Sequence, residues 1–199
     1  MKVFKPEEIN EKFTMNIFID TNIFLSVYFP KNNYFSDICE RDYNKFLKNK
    51  TKLYTDFTVI SELFNRTLKI SWKNYCLKNH LNQNQFSYKK YRETNDFSTS
   101  IDEVCQNVCQ ILSNVNLVNF EYDSNDLSLK ISKNKFNTID FNDFHIMNVC
   151  QKYDLCLWTN DIDFKDKNIK IFTENGKYFD QKIELDELFR KTDDSKPYN

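Results

Sequence analysis

Three apolar β-formers, Ile17-Phe18-Ile19, run straight into Asp20-Thr21-Asn22, and apolar residues resume at Ile23-Phe24-Leu25. The triplet has no polar position and reads as a short, fully buried strand, after which Thr21 or Asn22 can cap a helix. In an open parallel sheet, ligands bind at the carboxyl ends of the strands. A carboxylate at Asp20 therefore faces a crevice. A turn-forming Asp that merely ends a strand explains this one stretch equally well. Three further acidic stretches with the same address shift the balance.

Short strands are expected at 17–19, 52–55, 116–120, 155–159 and 170–173, alternating with helical patterns. That alternation predicts an α/β fold, a three-layer α/β/α sandwich around a central parallel sheet. Residues 1–15 read as an irregular arm, 16–190 as a single domain and 191–199 as a polar tail. Helices are expected from Asn22 to Phe29, from Ser36 to about Lys48, after Asp56 or Thr58, after Ser98 or Thr99, over Ser124–Ile131 and up to Tyr153, with a short one over Leu185–Phe189. Val59, Ile60, Leu63, Phe64, Thr67 and Leu68 share one helix face, with Glu62 at its border. Ile101, Val104, Cys105, Val108, Ile111 and Leu112 form a second inward stripe. A basic turn is expected at Lys133 and Lys135.

A single glycine in 199 residues excludes a Gly-rich phosphate loop, because that loop needs glycines for close backbone approach. Turns must use Asn, Asp and Ser instead. Net charge is −1, which leaves only a local basic patch to meet nucleic acid. Residues 69–97 provide one as an aromatic-basic helical insertion. Lys69, Lys73, Lys78, Lys89, Lys90 and Arg92 are interleaved with Trp72, Tyr75, Phe86, Tyr88 and Tyr91. Lysines contact phosphates and aromatic faces stack unpaired bases, so the composition suits single-stranded RNA. The competing reading makes the aromatics core and the lysines a solvated rim. Six cysteines without a Cys-x-x-Cys pair, and no signal-peptide or membrane-spanning run, predict a reduced, cytoplasmic protein with thiols used as small core residues. Cys105 and Cys109 share a helix face, but no second pair stands nearby to make a metal site.

The acidic positions carry the chemistry. Asp20 and Asp161 end strands, whereas Glu62 and Asp143 begin helices near strand ends. Clustered carboxylates repel, and burying them unpaired costs several kcal/mol each. A hard divalent cation, Mg²⁺ or Mn²⁺, relieves that repulsion. Such a centre activates water and stabilises charge on a phosphodiester. Asp140 and Asp143 stand three residues apart at a helix start, where one of them is expected to be the cap. His145 projects to a different side and reads as structural.

Ile17–Leu25, Ser61-Glu62-Leu63, Asn142-Asp143-Phe144-His145-Ile146 and Trp158-Thr159-Asn160-Asp161-Ile162-Asp163-Phe164 together resemble a PIN domain over roughly residues 16–173. Their order is also similar to that of the toxin nucleases of VapBC-type toxin–antitoxin pairs. The resemblance implies an endoribonuclease with Asp20, Glu62, Asp143 and Asp161 as the four acids. Asp20, Asp143 and Asp161 would hold metal, and Glu62 would act through water. It further implies hydrogen-bonding roles for Thr21 and Thr159, orienting roles for Asn22 and Asn160, and an auxiliary place for Asp163. Asp140 falls outside the pattern, as a cap or a fifth acidic contact. RNA, a small antitoxin protein and a second copy of the chain are the partners implied. The chain is longer than small toxins of that kind. A non-catalytic PIN-like module binding RNA or protein through residues 69–97 is the alternative.

Overall fold

The computed structural model describes residues 2–9, 13–30, 34–133, 136 and 139–179. Lys135, the Leu185–Phe189 helix and the 191–199 tail lie outside them. The described residues form one six-stranded, all-parallel sheet with helices on both faces, the expected α/β/α sandwich. Its strands are β1 (Lys2–Phe4), β2 (Ile17–Ile19), β3 (Leu53–Thr55), β4 (Asn116–Leu117), β5 (Cys156–Trp158) and β6 (Lys170–Phe172), in the order β1-β6-β5-β2-β3-β4. β2 and β5 are buried at every position and pair at the centre, Ile17 with Cys156 and Ile19 with Trp158. From β2 the chain moves outward through β3 to β4. It then returns to β5 and proceeds the other way to β6. The strand order thus reverses between β2 and β5, the place where an open parallel sheet forms a crevice.

The helices are α1 (Thr21–Tyr28), α2 (Tyr34–Lys48), α3 (Phe57–Lys78), α4 (Tyr88–Tyr91), α5 (Asn95–Asn114), α6 (Ser124–Lys133) and α7 (Phe141–Tyr153). α1 packs on α2 and α3, and α3 packs on α5. Phe46 of α2 anchors its layer, meeting Trp158 and Phe172 edge-on with ring centroids 5.2 Å from each.

Several elements depart from the expected ones. The N-terminal arm is not irregular throughout. Lys2–Phe4 is an edge strand on β6, and Phe13 packs against both Phe4 and Phe46. Flanking charges hide so short a strand in the sequence. The strand expected over 116–120 pairs only at Asn116–Leu117. α5 starts one turn early, because Thr94 rather than Ser98 or Thr99 accepts a cap hydrogen bond, from Phe97 N at 3.2 Å. Its inward stripe is Val104, Val108 and Ile111, whereas Cys105 and Cys109 are exposed. One residue is 100° of helix, enough to turn Cys105 outward.

The aromatics of the insertion pack on each other. α3 continues unbroken to Lys78. Tyr75 stacks on Phe86, Tyr91 is fully buried between Tyr75 and Phe97, and Trp72 Nε1 donates to Phe86 O at 3.1 Å. These faces are used internally rather than offered to bases. Lys69, Lys73, Lys89, Lys90 and Arg92 remain exposed around them.

Asp56 fixes the start of α3 and ties it to α7. Its Oδ1 accepts from Val59 N (2.9 Å) and Thr58 Oγ1 (2.6 Å), and its Oδ2 meets His145 Nε2 at 2.7 Å. Tyr122 OH holds the other ring nitrogen at 3.0 Å. Burial would raise the Asp56 acid, but these donors outweigh it and hold the value below the ordinary one. His145→Ala should therefore lower unfolding free energy by about 2–4 kcal/mol in urea titrations. Because the folded value of Asp56 lies below the unfolded one of about 3.9, its contribution is full above that pH. It fades as pH falls through the folded value, and His145→Ala should blunt this acid loss.

Candidate active site

The site grows from the carboxyl ends of β2 and β5. The chain turns out of β2 at Asp20, whose backbone N donates to Trp158 O across the sheet. Asp20 then caps α1, with Oδ1 accepting from Thr21 N at 2.6 Å. Its Oδ2 accepts from Asn22 Nδ2 at 2.5 Å and from Thr159 Oγ1 at 2.6 Å. Thr159, fully buried at the end of β5, also accepts from Asn22 Nδ2 and Asp161 N, both at 3.0 Å. That fills the hydroxyl's capacity of one donor and two acceptor positions. Asn22 Oδ1 in turn accepts from Asn160 N at 3.3 Å. Thr21, Asn22, Thr159 and Asn160 therefore form one network under Asp20 and Asp161.

The second carboxylate stretch is held from below. Asn160 Oδ1 accepts from Thr173 Oγ1 (2.8 Å) and Glu174 N (3.2 Å), and Asn175 Nδ2 donates to Asn160 O (2.8 Å). Tyr178 OH donates to Asp161 O. Asp161 Oδ1 caps the next 3₁₀ turn through Asp163 N at 3.0 Å. Both Asp161 and Asp163 are exposed.

Asp140 is the cap of α7, accepting from Asp143 N at 2.8 Å. The Asp143 side chain is thereby left to face the crevice. Burial, then Asp140, Asp20, Asp161 and Asp163, push its acid up to about 7. Asp20 is raised to about 6, chiefly by burial, with Glu62 and Asp161 adding repulsion against the lowering effect of its hydrogen bonds. The phenol of Tyr178 is pushed well up by burial and by Asp161, Asp20, Asp163 and Asp143. Four aspartates from three segments of the chain, Asp20 after β2, Asp143 in the first turn of α7 and Asp161 and Asp163 after β5, thus act on a common neighbour, Tyr178. Glu62 lies at the margin, where Thr21 Oγ1 donates to its Oε2 (3.2 Å) and Arg66 Nη1 to its Oε1 (3.1 Å).

Arg66, Tyr178, Thr173 and Asn175 escape sequence reasoning. Arg66 was findable, because it stands four residues after Glu62 on a helix. The other three share no local pattern with the acids. Glu174 also follows a strand end and touches the network through Asn160, but its charged neighbour is Asp42 rather than the site aspartates. Burial and then Asp42 raise it to about 7, and Trp158 Nε1 donates to it at 3.0 Å.

Among the described residues, no group of three or more His, Cys, Asp or Glu is placed as a ready metal cage. The donor set is nevertheless all carboxylate oxygen, and burial together with mutual repulsion raises two of the acids. Hard divalent ions that keep their waters need only one or two carboxylates. The residue types fit such an ion.

The raised values have a sign. Asp20 and Asp143 bind protons more tightly folded than unfolded. Their contribution to stability is full below about pH 4 and is lost as pH rises through about 6 and 7. Metal-free Asp143→Asn should thus melt roughly 2–4 °C above wild type at pH 8, with the gap narrowing as pH falls and closing below about pH 4. A ¹³C carboxyl titration should place Asp143 near 7.

No curated protein and no solved structure matches this chain significantly. Among the described residues, no helix is long and apolar enough to cross a membrane. Residues 17–170 match the PIN domain, a fold whose members are generally nucleases and usually use divalent metals. The match spans β2 to β5, reaches the first residue of β6 and includes Asp20, Glu62, Asp140, Asp143, Asp161 and Asp163, and on it the chain belongs to the PIN domain family.

Proposed function

We propose that the protein is a metal-dependent endoribonuclease that hydrolyses RNA phosphodiester bonds with Mg²⁺ or Mn²⁺. The observation that carries this reading is the electrostatic coupling of Asp20, Asp143, Asp161 and Asp163 at the point of strand reversal. A divalent ion there would supply charge stabilisation at the phosphate and a more acidic water.

Asp20, Asp143 and Asp161 would hold the ion, and Asp163 is an auxiliary acid. Thr159 and Asn22 fix the Asp20 oxygens, so that the carboxylate is oriented before substrate arrives. Glu62 orients the attacking water once its contact with Arg66 is exchanged. Hydrolysis adds this water across the P–O bond, and the departing sugar oxygen takes up a proton. The exposed Lys69, Lys73, Lys89, Lys90 and Arg92 would contact the RNA backbone.

The order of the acidic stretches further supports a toxin of a toxin–antitoxin pair with a small antitoxin partner; the family resemblance supports a homodimeric state, and the scattered cysteines support a place in the cytoplasm. The Glu62–Arg66 pair, which engages one of the four acids, favours the second reading, a PIN-like module that binds RNA or protein without cleaving.

Mn²⁺ calorimetry and RNA cleavage separate the two. Asp20→Asn should lower cleavage at least about 100-fold and leave the folded structure intact. EDTA should abolish wild-type cleavage. Full activity in Asp20→Asn overturns the mechanism, and RNA binding without cleavage in any divalent metal favours the binding module.

A further inference from the structure

A cleft of about 980 Å³ opens beside the acidic centre, between α1, the start of α2, α3 and α5. Clefts of about 300–1,000 Å³ are the size that takes small ligands. One end is bounded by Asn22, which holds Asp20, and by Arg66, which holds Glu62. The cleft is therefore continuous with the site. Leu25, Phe29 and Ile70 give it an apolar wall, and Lys73 stands at its rim. Arg66, Thr67, Ile70, Lys73 and Asn74 recur at helical spacing along α3. Arg66 and Lys73 are two turns apart, about 10 Å along the axis. Glu103 is the one carboxylate in the lining.

Thr67 distinguishes this cleft from a plain groove. It lines the wall and is 6% exposed, and its Oγ1 is the one buried side-chain oxygen among the described residues without a hydrogen-bond partner. A helical threonine ordinarily satisfies its hydroxyl on the carbonyl one turn back. Leaving it unmet carries a desolvation cost that a ligand group would remove.

We propose that this cleft is a base-binding subsite for one unstacked nucleotide next to the bond that is cut. The apolar wall takes the base face, and the Thr67 hydroxyl hydrogen-bonds its edge. Arg66 and Lys73 meet the phosphates on either side. The cations and the continuity with the acids favour a polynucleotide strand over a protein segment. The subsite rests on the ribonuclease reading above and adds to it a source of sequence preference.

The test uses the full chain and fluorescein-labelled hexamers of A, C, G or U, with anisotropy read in Ca²⁺. Cleavage positions on a random-sequence RNA are mapped in Mn²⁺. Wild type should prefer one base at one position flanking the cut. Thr67→Val should weaken binding of the preferred hexamer roughly three- to tenfold and flatten that preference, whereas Thr67→Ser should keep it. Ile70→Trp should block the cleft and weaken binding of all four. Unchanged preference in Thr67→Val with cleavage intact overturns the subsite and leaves the nuclease standing. RNA binding indifferent to Ile70→Trp also overturns it, as a cleft serving a protein partner would behave. If wild type neither binds nor cuts RNA, the nuclease reading falls and the subsite with it.

Discussion

The hydrogen bond from the Thr159 hydroxyl to the Asp20 carboxylate joins the ends of the two central strands where the sheet changes direction. A carboxylate at 7% exposure is expensive unless donors meet it. Asp20 receives three, from Thr21 N, Asn22 and Thr159. Each donor also belongs to the frame: Thr21 opens α1, Asn22 bridges to the loop after β5, and Thr159 ends β5. Paired register between β2 and β5 brings these groups together. The sheet and the site are therefore stabilised by the same few contacts.

Helix capping and acid clustering are often treated as rival explanations for an Asp at a strand end. Here the same residues do both. Asp20 caps α1, Asp140 caps α7 and Asp161 caps a 3₁₀ turn. A helix N-terminus favours negative charge, which offsets part of the repulsion among neighbours. Asp140 shows how the tasks divide. By taking the Asp143 amide, it frees the Asp143 carboxyl for the crevice. The protein holds several like charges close together because backbone amides share the load.

The central strands were legible because every residue in them is apolar, a pattern that only a doubly covered sheet allows. The four acids were legible by their address after strands or at helix starts. β1 was not, since Lys2-Val3-Phe4 is too short and too near charged residues to carry a period. The insertion left two readings of its aromatics open. Interleaved Lys and Tyr have the composition of an RNA surface, but composition cannot say which way a ring faces. Tyr91 at 0% exposure is core. The support beneath Asn160 from Thr173 and Asn175, and beneath Asp161 from Tyr178, depends on β6 lying beside β5. Nothing local in the sequence announces that neighbour.

The distance along the chain between Asp20 and its main donor has a consequence for biosynthesis. The two residues are 139 positions apart, and β2 finds its partner β5 only after the helices between them have been made. Non-local parallel pairing of this kind is slow, because loop-closure entropy precedes the contacts that repay it. A nascent chain that has emerged only through α5 contains Asp20 and Glu62 but neither Asp143 nor Thr159. The acidic centre is thus assembled last. A growing chain on the ribosome carries an incomplete centre, and the complete one arises only after most of the polypeptide has left the tunnel.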